Sequence, residues 1–206
     1  MTEEKDFIRQ AQAGDQEAFS WLVTTYEKPV YNLCLRMTGN PEDARDLAQE
    51  AFLKAWRGLR FYKFEAAFST WLYRLTSNVC IDFLRQQKRH PTVSLTVEDD
   101  QESAVELELA DPAPLPEEQV LYDEQRRAVA AAMERLEEDF RLILTLRVVE
   151  NLPYEEIASI MDLKVGTVKS RLARARNKLK RILLQSGNNL EFLSSNSKEG
   201  GMRHDL

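Results

Sequence analysis

The sequence predicts an all-α protein made of two small helical domains joined by an acidic flexible linker. Seven glycines and seven prolines in 206 residues leave long stretches free of helix breakers. Apolar residues recur at three- and four-residue steps, the period of a helix with one buried face. That period fails over residues 93–118, which divides a domain at 1–92 from another at 119–184 and leaves a polar tail, 185–206, that reads as disordered.

In chain order, the opening MTEEKDFIRQ is polar and acidic, without the basic start and apolar run of a secretory signal. Phe19, Leu22, Val23, Tyr26, Val30, Leu33, Cys34 and Met37 make the stripe of one helix, and Gly39 ends it. Asn40 then supplies an N-cap, Pro41 a first-turn proline, and Glu42 and Asp43 the acids that suit a helix N-terminus. The helix they begin buries Ala44, Leu47, Ala48, Ala51, Phe52 and Ala55. A third helix, from near Ser69, buries Trp71, Leu72, Leu75, Val79 and Phe83.

Residues 93–118 hold nine acidic groups, no basic one, and prolines at 112, 114 and 116. Proline spacing and mutual repulsion favour an extended chain there, and the pattern allows a short helix around Ser103–Leu109. Helical periodicity resumes near Glu118 and runs to Leu184.

No apolar run approaches the roughly 20 residues of a membrane span. A cytoplasmic protein without membrane insertion is therefore expected. Two cysteines and two histidines, scattered along the chain, do not make a zinc site, and neither a metal nor a cofactor is expected.

The net charge of −6 conceals a strong asymmetry, because residues 164–185 carry eight cations and no anion. A local basic patch sets the contact field over about one Debye length, so an acidic total does not exclude nucleic acid. Just before the patch lies Leu152-Pro-Tyr-Glu-Glu-Ile-Ala-Ser-Ile-Met161, followed by a tight turn and the basic segment from Val165. A short acidic helix, a turn and a longer basic helix form the helix-turn-helix pattern. Val165, Val168, Leu172, Ala175, Leu179 and Ile182 give the buried seam. Opposite lie Gly166, Ser170, Ala173, Arg174 and Asn177, flanked by Lys169, Arg171 and Lys178. Small residues let this face approach a groove floor, Arg174 suits guanine edges, and the flanking cations suit phosphates.

In the first domain, Asp43, Asp46 and Glu50 share one helix face, read as a solvated or partner-facing surface. Metal chemistry would want ligands from a second element, and none is evident. The third helix carries Arg74, Asn78, Asp82, Arg85 and Arg89 away from its apolar stripe. It follows an aromatic-rich loop, Phe61-Tyr-Lys-Phe-Glu-Ala-Ala-Phe68, whose tip is Lys63, Phe64 and Glu65. Cations with aromatic faces are what unpaired bases need, while Phe68 and Trp71 read equally well as core.

Together these motifs resemble a known family. Asp46-Leu-Ala-Gln-Glu-Ala-Phe-Leu-Lys-Ala-Trp56, Phe68-Ser-Thr-Trp-Leu-Tyr-Arg74 with Asn78 and Asp82, Tyr154-Glu-Glu-Ile-Ala158 and Val165-Gly-Thr-Val-Lys-Ser-Arg171 look like an extracytoplasmic-function (ECF) sigma factor of the sigma-W and sigma-E type. The resemblance covers residues 5–184. It implies a σ2 domain before the linker and a σ4 helix-turn-helix domain after it. It implies that Asp43, Asp46, Gln49, Glu50 and Lys54 meet the β′ clamp helices of core RNA polymerase, with σ4 near the β flap. Lys63, Phe64, Glu65 and Ala66 would hold a flipped base of the opened −10 non-template strand, and Arg74, Asn78, Asp82 and Arg85 would meet the upstream edge of that element. Thr167, Lys169, Ser170, Arg171, Ala173, Arg174, Asn177 and Lys178 would contact the −35 duplex.

The family further implies a non-enzymatic initiation factor. A membrane-linked anti-sigma factor would hold it at the inner face of the membrane until a stress signal. Two departures stand out. Pro153 replaces a usual capping hydroxyl, although proline fits a first helical turn, and Lys164 stands where proline or serine is common. Two other classes compete with this reading. A stand-alone repressor would leave residues 1–92 without a role, and a carboxylate metalloenzyme would need more ligands than Asp43, Asp46 and Glu50.

Overall fold

The computed structural model describes residues 2–89 and 116–186, with side chains over 3–89 and 124–186. Every regular element among these residues is helical. The expected helix at 103–109 and residues 187–206 of the expected disordered tail lie outside the described residues, while Gln185, placed in that tail, is the last residue of a helix, and the linker enters the described residues only at its end, because a helix is already formed at Pro116.

The first domain contains four helices: α1 (Thr2–Gln12), α2 (Gln16–Thr38), α3 (Pro41–Gly58) and α4 (Phe68–Arg89). Helix α1 goes beyond the elements expected from periodicity; its Ile8 and Ala11 are buried against α2. The caps explain the sharp boundaries. Asp15 accepts from the Glu17 and Ala18 amides at 2.9 and 3.2 Å, and Asn40 accepts from Glu42 and Asp43 at 2.8 and 3.2 Å. Gly39, at φ +73°, closes α2 with its N–H on the Leu35 carbonyl at 2.8 Å.

The α3 face that meets α2 and α4 is built largely of alanine, with Ala44, Ala51 and Ala55 fully buried, so the three helices approach closely. Cys34 and Cys80 are buried in that core with their sulfurs 3.7 Å apart, as free thiols. The hydrogen bond to Cys34 and burial push the Cys80 thiol strongly upward, so it stays protonated and inert.

The second domain is less continuous than its periodicity suggests. It divides into α5 (Pro116–Glu134), α6 (Glu138–Leu144), α7 (Tyr154–Met161) and α8 (Val165–Gln185), and α6 runs into a π-type turn at Thr145–Val149. The extra residue in that turn rotates the chain beyond it, leaving Val148 and Val149 exposed while Leu146 is buried. Pro153 occupies the N-cap of α7, one place earlier than a first-turn position, so no side chain caps this helix. Asp162 makes the tight turn in the left-handed conformation, at φ +54°. Lys164, the N-cap of α8, likewise offers no capping side chain. Val168, Leu172, Ala175 and Ile182 of the expected seam are buried; Val165 and Leu179 are half-buried.

The two domains pack against each other. Helix α7 lies along α4, and α6 reaches both α2 and α4. At the centre is Arg141, only 5% exposed. Its guanidinium donates to the carbonyls of Met133 at 3.0 Å, of Glu134 at the end of α5, and of Met37 near the end of α2. One cation thus neutralises two helix C-termini from different domains. Burial pulls its pKa down, opposed by Glu134 and Glu138, and it remains charged. Around it, the Tyr73 hydroxyl donates to Glu150 at 2.7 Å, and Lys88 pairs with Glu138 at 2.5 Å.

Replacing Arg141 by methionine should destabilise the chain by about 2–3 kcal/mol, since three helix-terminal carbonyls lose a charged donor. Arg141→Lys should recover only part of that, because an ammonium lacks the planar fork. Urea denaturation reads the difference, and a methionine variant as stable as the parent would refute this role for Arg141.

Candidate functional site

Three surfaces carry the residues singled out from the sequence. The first is the outer face of α3, where Asp46, Gln49, Glu50 and Lys54 are exposed and Asp43 is half-buried. Glu50 and Lys54 pair at 2.8 Å, one turn apart. Partial burial, then the neighbouring charges of Asp46 and Glu42, raise the Asp43 carboxyl above its ordinary range. The acids of this face repel one another, and Lys54 is the cation paired among them. Among the described residues no group of three or more His, Cys, Asp or Glu side chains is placed so that it could hold a metal ion.

The second surface joins the loop before α4 to the exposed side of that helix. A 3-10 turn at Leu59–Phe61 leads into the loop. The Tyr62 hydroxyl donates to the Ala66 carbonyl at 2.6 Å, and the Gln12 amide donates to the carbonyls of Leu59 and Tyr62 at 3.0 and 2.8 Å. These bonds leave Lys63, Phe64, Glu65 and Ala66 projecting, with Phe64 in the left-handed region at φ +60°. The Phe64 ring lies 4.8 Å from that of Tyr62, with Arg9 near it at 5.8 Å. Phe68 is core and Trp71 half-buried, and both rings pack against Tyr62. Beyond the loop, Arg74, Asn78, Asp82 and Arg85 stand exposed on one side of α4. Sequence reasoning missed Gln12, Arg9 and Tyr62, since nothing in the primary structure links α1 to a loop about 50 residues away.

The third surface is α8. Lys169, Ser170, Ala173, Arg174 and Asn177 are exposed as expected, and Thr167 is half-buried. Arg174, Asn177, Lys178, Lys180 and Arg181 line a shallow groove bounded by Phe140 and Leu184. Two of the expected contact residues are already engaged within the chain. Arg171 pairs with Asp139 at 3.1 Å, and Lys178 pairs with Glu137. Lys169 rests 5.7 Å from the Tyr154 ring centre, and Arg147 approaches the same ring at 5.0 Å. Asp139 also pairs with Arg85 of α4 at 3.5 Å, so the second and third surfaces meet at one carboxylate.

Comparison with known proteins fits this geometry. The Sigma-70 region 2 family matches residues 22–90, and the Sigma-70 region 4 family matches 126–179. The RNA polymerase sigma-H factor of Pseudomonas aeruginosa is 39% identical over 186 residues, covering 89% of this chain and 96% of that protein. The chain belongs to the ECF sigma factors. Another relative, the ECF RNA polymerase sigma factor SigW of Bacillus subtilis, is 34% identical over 179 residues, covering 87% of the chain and 96% of its own length. In fold, the chain matches CnrH, solved in complex with the cytosolic domain of CnrY, at a TM-score of 0.63 and 22% identity over 90% of this chain and 99% of that one. As an ECF sigma factor, the protein serves promoter-specific initiation of transcription, binding core RNA polymerase and promoter DNA through regions 2 and 4.

The raised Asp43 carboxyl makes a prediction. A carboxyl whose folded pKa lies above its unfolded value destabilises the fold at neutral pH, and the penalty disappears as pH falls through the raised pKa. Asp43→Asn should therefore melt above the parent at pH 7, with the gap closing towards about pH 4. Calorimetry across that range checks it; an unchanged melting temperature at pH 7 would contradict the cause given for the shift.

Proposed function

We propose that this sigma factor assigns its three surfaces to three separate partners. The acidic α3 face, Asp43, Asp46, Gln49, Glu50 and Lys54, docks on the clamp helices of polymerase β′, with σ4 close to the β flap. Its self-repulsion is relieved when a basic partner covers it. Lys63, Phe64, Glu65 and Ala66 receive an unstacked base of the −10 non-template strand. Arg74, Asn78, Asp82 and Arg85 follow the upstream backbone and edge of that element. On α8, Arg174 reads bases in the major groove at −35, while Thr167, Lys169, Ser170, Ala173 and Asn177 line the approach. Arg171 and Lys178 contribute phosphate contacts.

The observation that supports this division is that three chemically distinct exposed faces stand on one chain matching regions 2 and 4 in order. Promoter opening then follows from binding alone. Capturing a flipped base stabilises the open state, and a ligand shifts an equilibrium by its differential affinity for the two states. No bond is made or broken by this chain, so it acts as a binding factor and not as an enzyme. It works in the cytoplasm, since its partners are polymerase and chromosome; no helix among the described residues is long and apolar enough to cross a membrane. A membrane-linked anti-sigma factor restrains it before a stress signal.

Run-off transcription with purified core polymerase tests the reading directly. The chain should direct initiation from a defined subset of promoters sharing two spaced elements, and no specific start sites with active core enzyme would overturn it. Within that assay, Arg174→Ala should lose about 1–3 kcal/mol at −35, in a manner dependent on one base pair. Equal losses on specific and random duplex would remove Arg174 from base reading. Separately, Asp46→Lys with Glu50→Lys should weaken core-polymerase binding by at least about tenfold, or about 1.4 kcal/mol, without changing the affinity of the chain for duplex DNA. A binding titration in which core polymerase retains parental affinity would contradict the α3 assignment.

A further inference from the structure

Helix α1 is anchored along its length. The Tyr26 hydroxyl donates to Glu4, the Phe7 and Trp21 rings stack at 4.3 Å, and Ile8 and Ala11 are buried against α2. Arg9 and Gln12, three residues apart and so on one face of the helix, both reach the loop before α4. The Gln12 amide donates to the Leu59 carbonyl at 3.0 Å and the Tyr62 carbonyl at 2.8 Å, at the two ends of the 3-10 turn that leads into the loop. A side-chain amide has two N–H donors, and both are engaged there. Arg9 is exposed, with its guanidinium 5.8 Å from the centre of the Phe64 ring. Its pairing with Asp6 is loose, at 3.8 Å with both side chains more than half exposed. Such a pair holds little and leaves the cation open to an anion arriving at Phe64.

We propose that α1 forms a second wall of the base-receiving loop, with Arg9 binding the phosphate beside the unstacked base and Gln12 acting as a positioning residue that fixes the backbone leading to Phe64. This rests on the reading of Lys63, Phe64, Glu65 and Ala66 as the loop that receives the base. The two roles follow from the chemistry of the two groups. A guanidinium carries a permanent charge and several donors in one plane, which suits a phosphate and is indifferent to the base attached to it. A base seated against the Phe64 ring brings its own phosphate within reach of the cation that already lies against that ring. Gln12 acts only through the loop, because its donors are engaged by loop carbonyls. The Tyr62 hydroxyl closes the other side on the Ala66 carbonyl at 2.6 Å. Phe64, in the left-handed region at φ +60°, is thus held between two fixed points of the backbone.

The test uses holoenzyme reconstituted from core polymerase and the full chain, with two single-stranded oligonucleotides. One spans the non-template −10 element of a promoter located by run-off transcription, and the other has the same composition in scrambled order. Arg9→Gln should weaken binding of both equally. The fall of log affinity with log salt should become shallower by about 0.7, the share of one phosphate contact on a single strand. Arg9→Lys, which keeps the charge, should restore the parental slope. Gln12→Met keeps the length of the side chain and removes its donors. It should lower the ratio of −10 to scrambled binding by about three- to tenfold, with the salt slope unchanged. In the free chain, NMR relaxation should show the backbone order parameters of residues 62–66 falling from about 0.85 to below about 0.6 in Gln12→Met, with α2, α3 and α4 as in the parent. Gln12→Lys, which returns a donor, should recover order in the loop.

Equal salt slopes for the parent and Arg9→Gln would overturn the phosphate contact, as would a loss confined to the −10 oligonucleotide. A parental binding ratio and parental loop order in Gln12→Met would overturn the positioning role. If Gln12→Met also loosens α2, α3 and α4, Gln12→Lys decides, and a disordered loop on an intact core in that variant counts against Gln12. Phe64→Ala separates the proposal from the reading beneath it. A ratio that collapses in Phe64→Ala while Arg9→Gln and Gln12→Met match the parent keeps the loop as the receiver of the base and removes α1 from it. An unchanged ratio in Phe64→Ala overturns both.

Discussion

The guanidinium of Arg141 is the constraint on which the domain arrangement depends. A helix C-terminus presents carbonyls with no partner in the helix, and burying one requires a donor. Here two such ends, from α2 and α5, are brought together and served by the same fork, together with the Met133 carbonyl. Only arginine offers several donors in one plane with a permanent charge. Once Arg141 fixes α6 against the end of α2, the acidic turn at Glu137–Asp139 lies beside α4 and α8, and α7 lies along α4. The glycine at position 39 belongs to the same junction. A Cβ there would meet only the movable carboxylate of the exposed Glu134, so what calls for glycine at the α2 cap is its left-handed φ of +73°.

Charge is used in three ways that the total conceals. On α3, Asp46 and Glu50 are exposed, and the half-buried Asp43 carboxyl is raised by its partial burial and then by its acidic neighbours. At the head of α6 the acids are satisfied within the chain. Along α8 most cations are left open. Isolated surface pairs contribute little to stability, so these pairs add little to the fold beside the buried Arg141 contacts.

Much of the fold was legible because periodicity reports which face of a helix is buried. The stripes of α2, α3 and α4, the caps at Asn40 and Gly39, and the helix-turn-helix of α7 and α8 follow from spacing alone. The candidate faces were legible for the same reason, since an exposed side is the complement of a buried one. Features that depend on distant residues were not. Helix α1 carries too few apolar residues to announce itself. The π-type turn leaves the apolar count unchanged while altering the rotation. Arg141 reads as an ordinary surface cation until α2 is placed beside it, and Gln12 as an ordinary polar residue until the loop carbonyls reach it. Proline suits a first turn by its φ, yet Pro153 stands one position earlier, because the turn before α7 takes an extended residue there.

The left-handed backbone of Phe64 has a consequence for how selective its loop can be. That conformation disfavours a residue with a side chain, and here the Tyr62 and Gln12 hydrogen bonds hold the adjoining backbone while Phe64 maintains it. Those bonds order the loop in the free chain, so under the proposed assignment its conformational entropy would be surrendered during folding and not on binding. If an unstacked base is received there as proposed, an ordered aromatic platform would discriminate by shape, because a poorly fitting group would find no loop able to adapt around it.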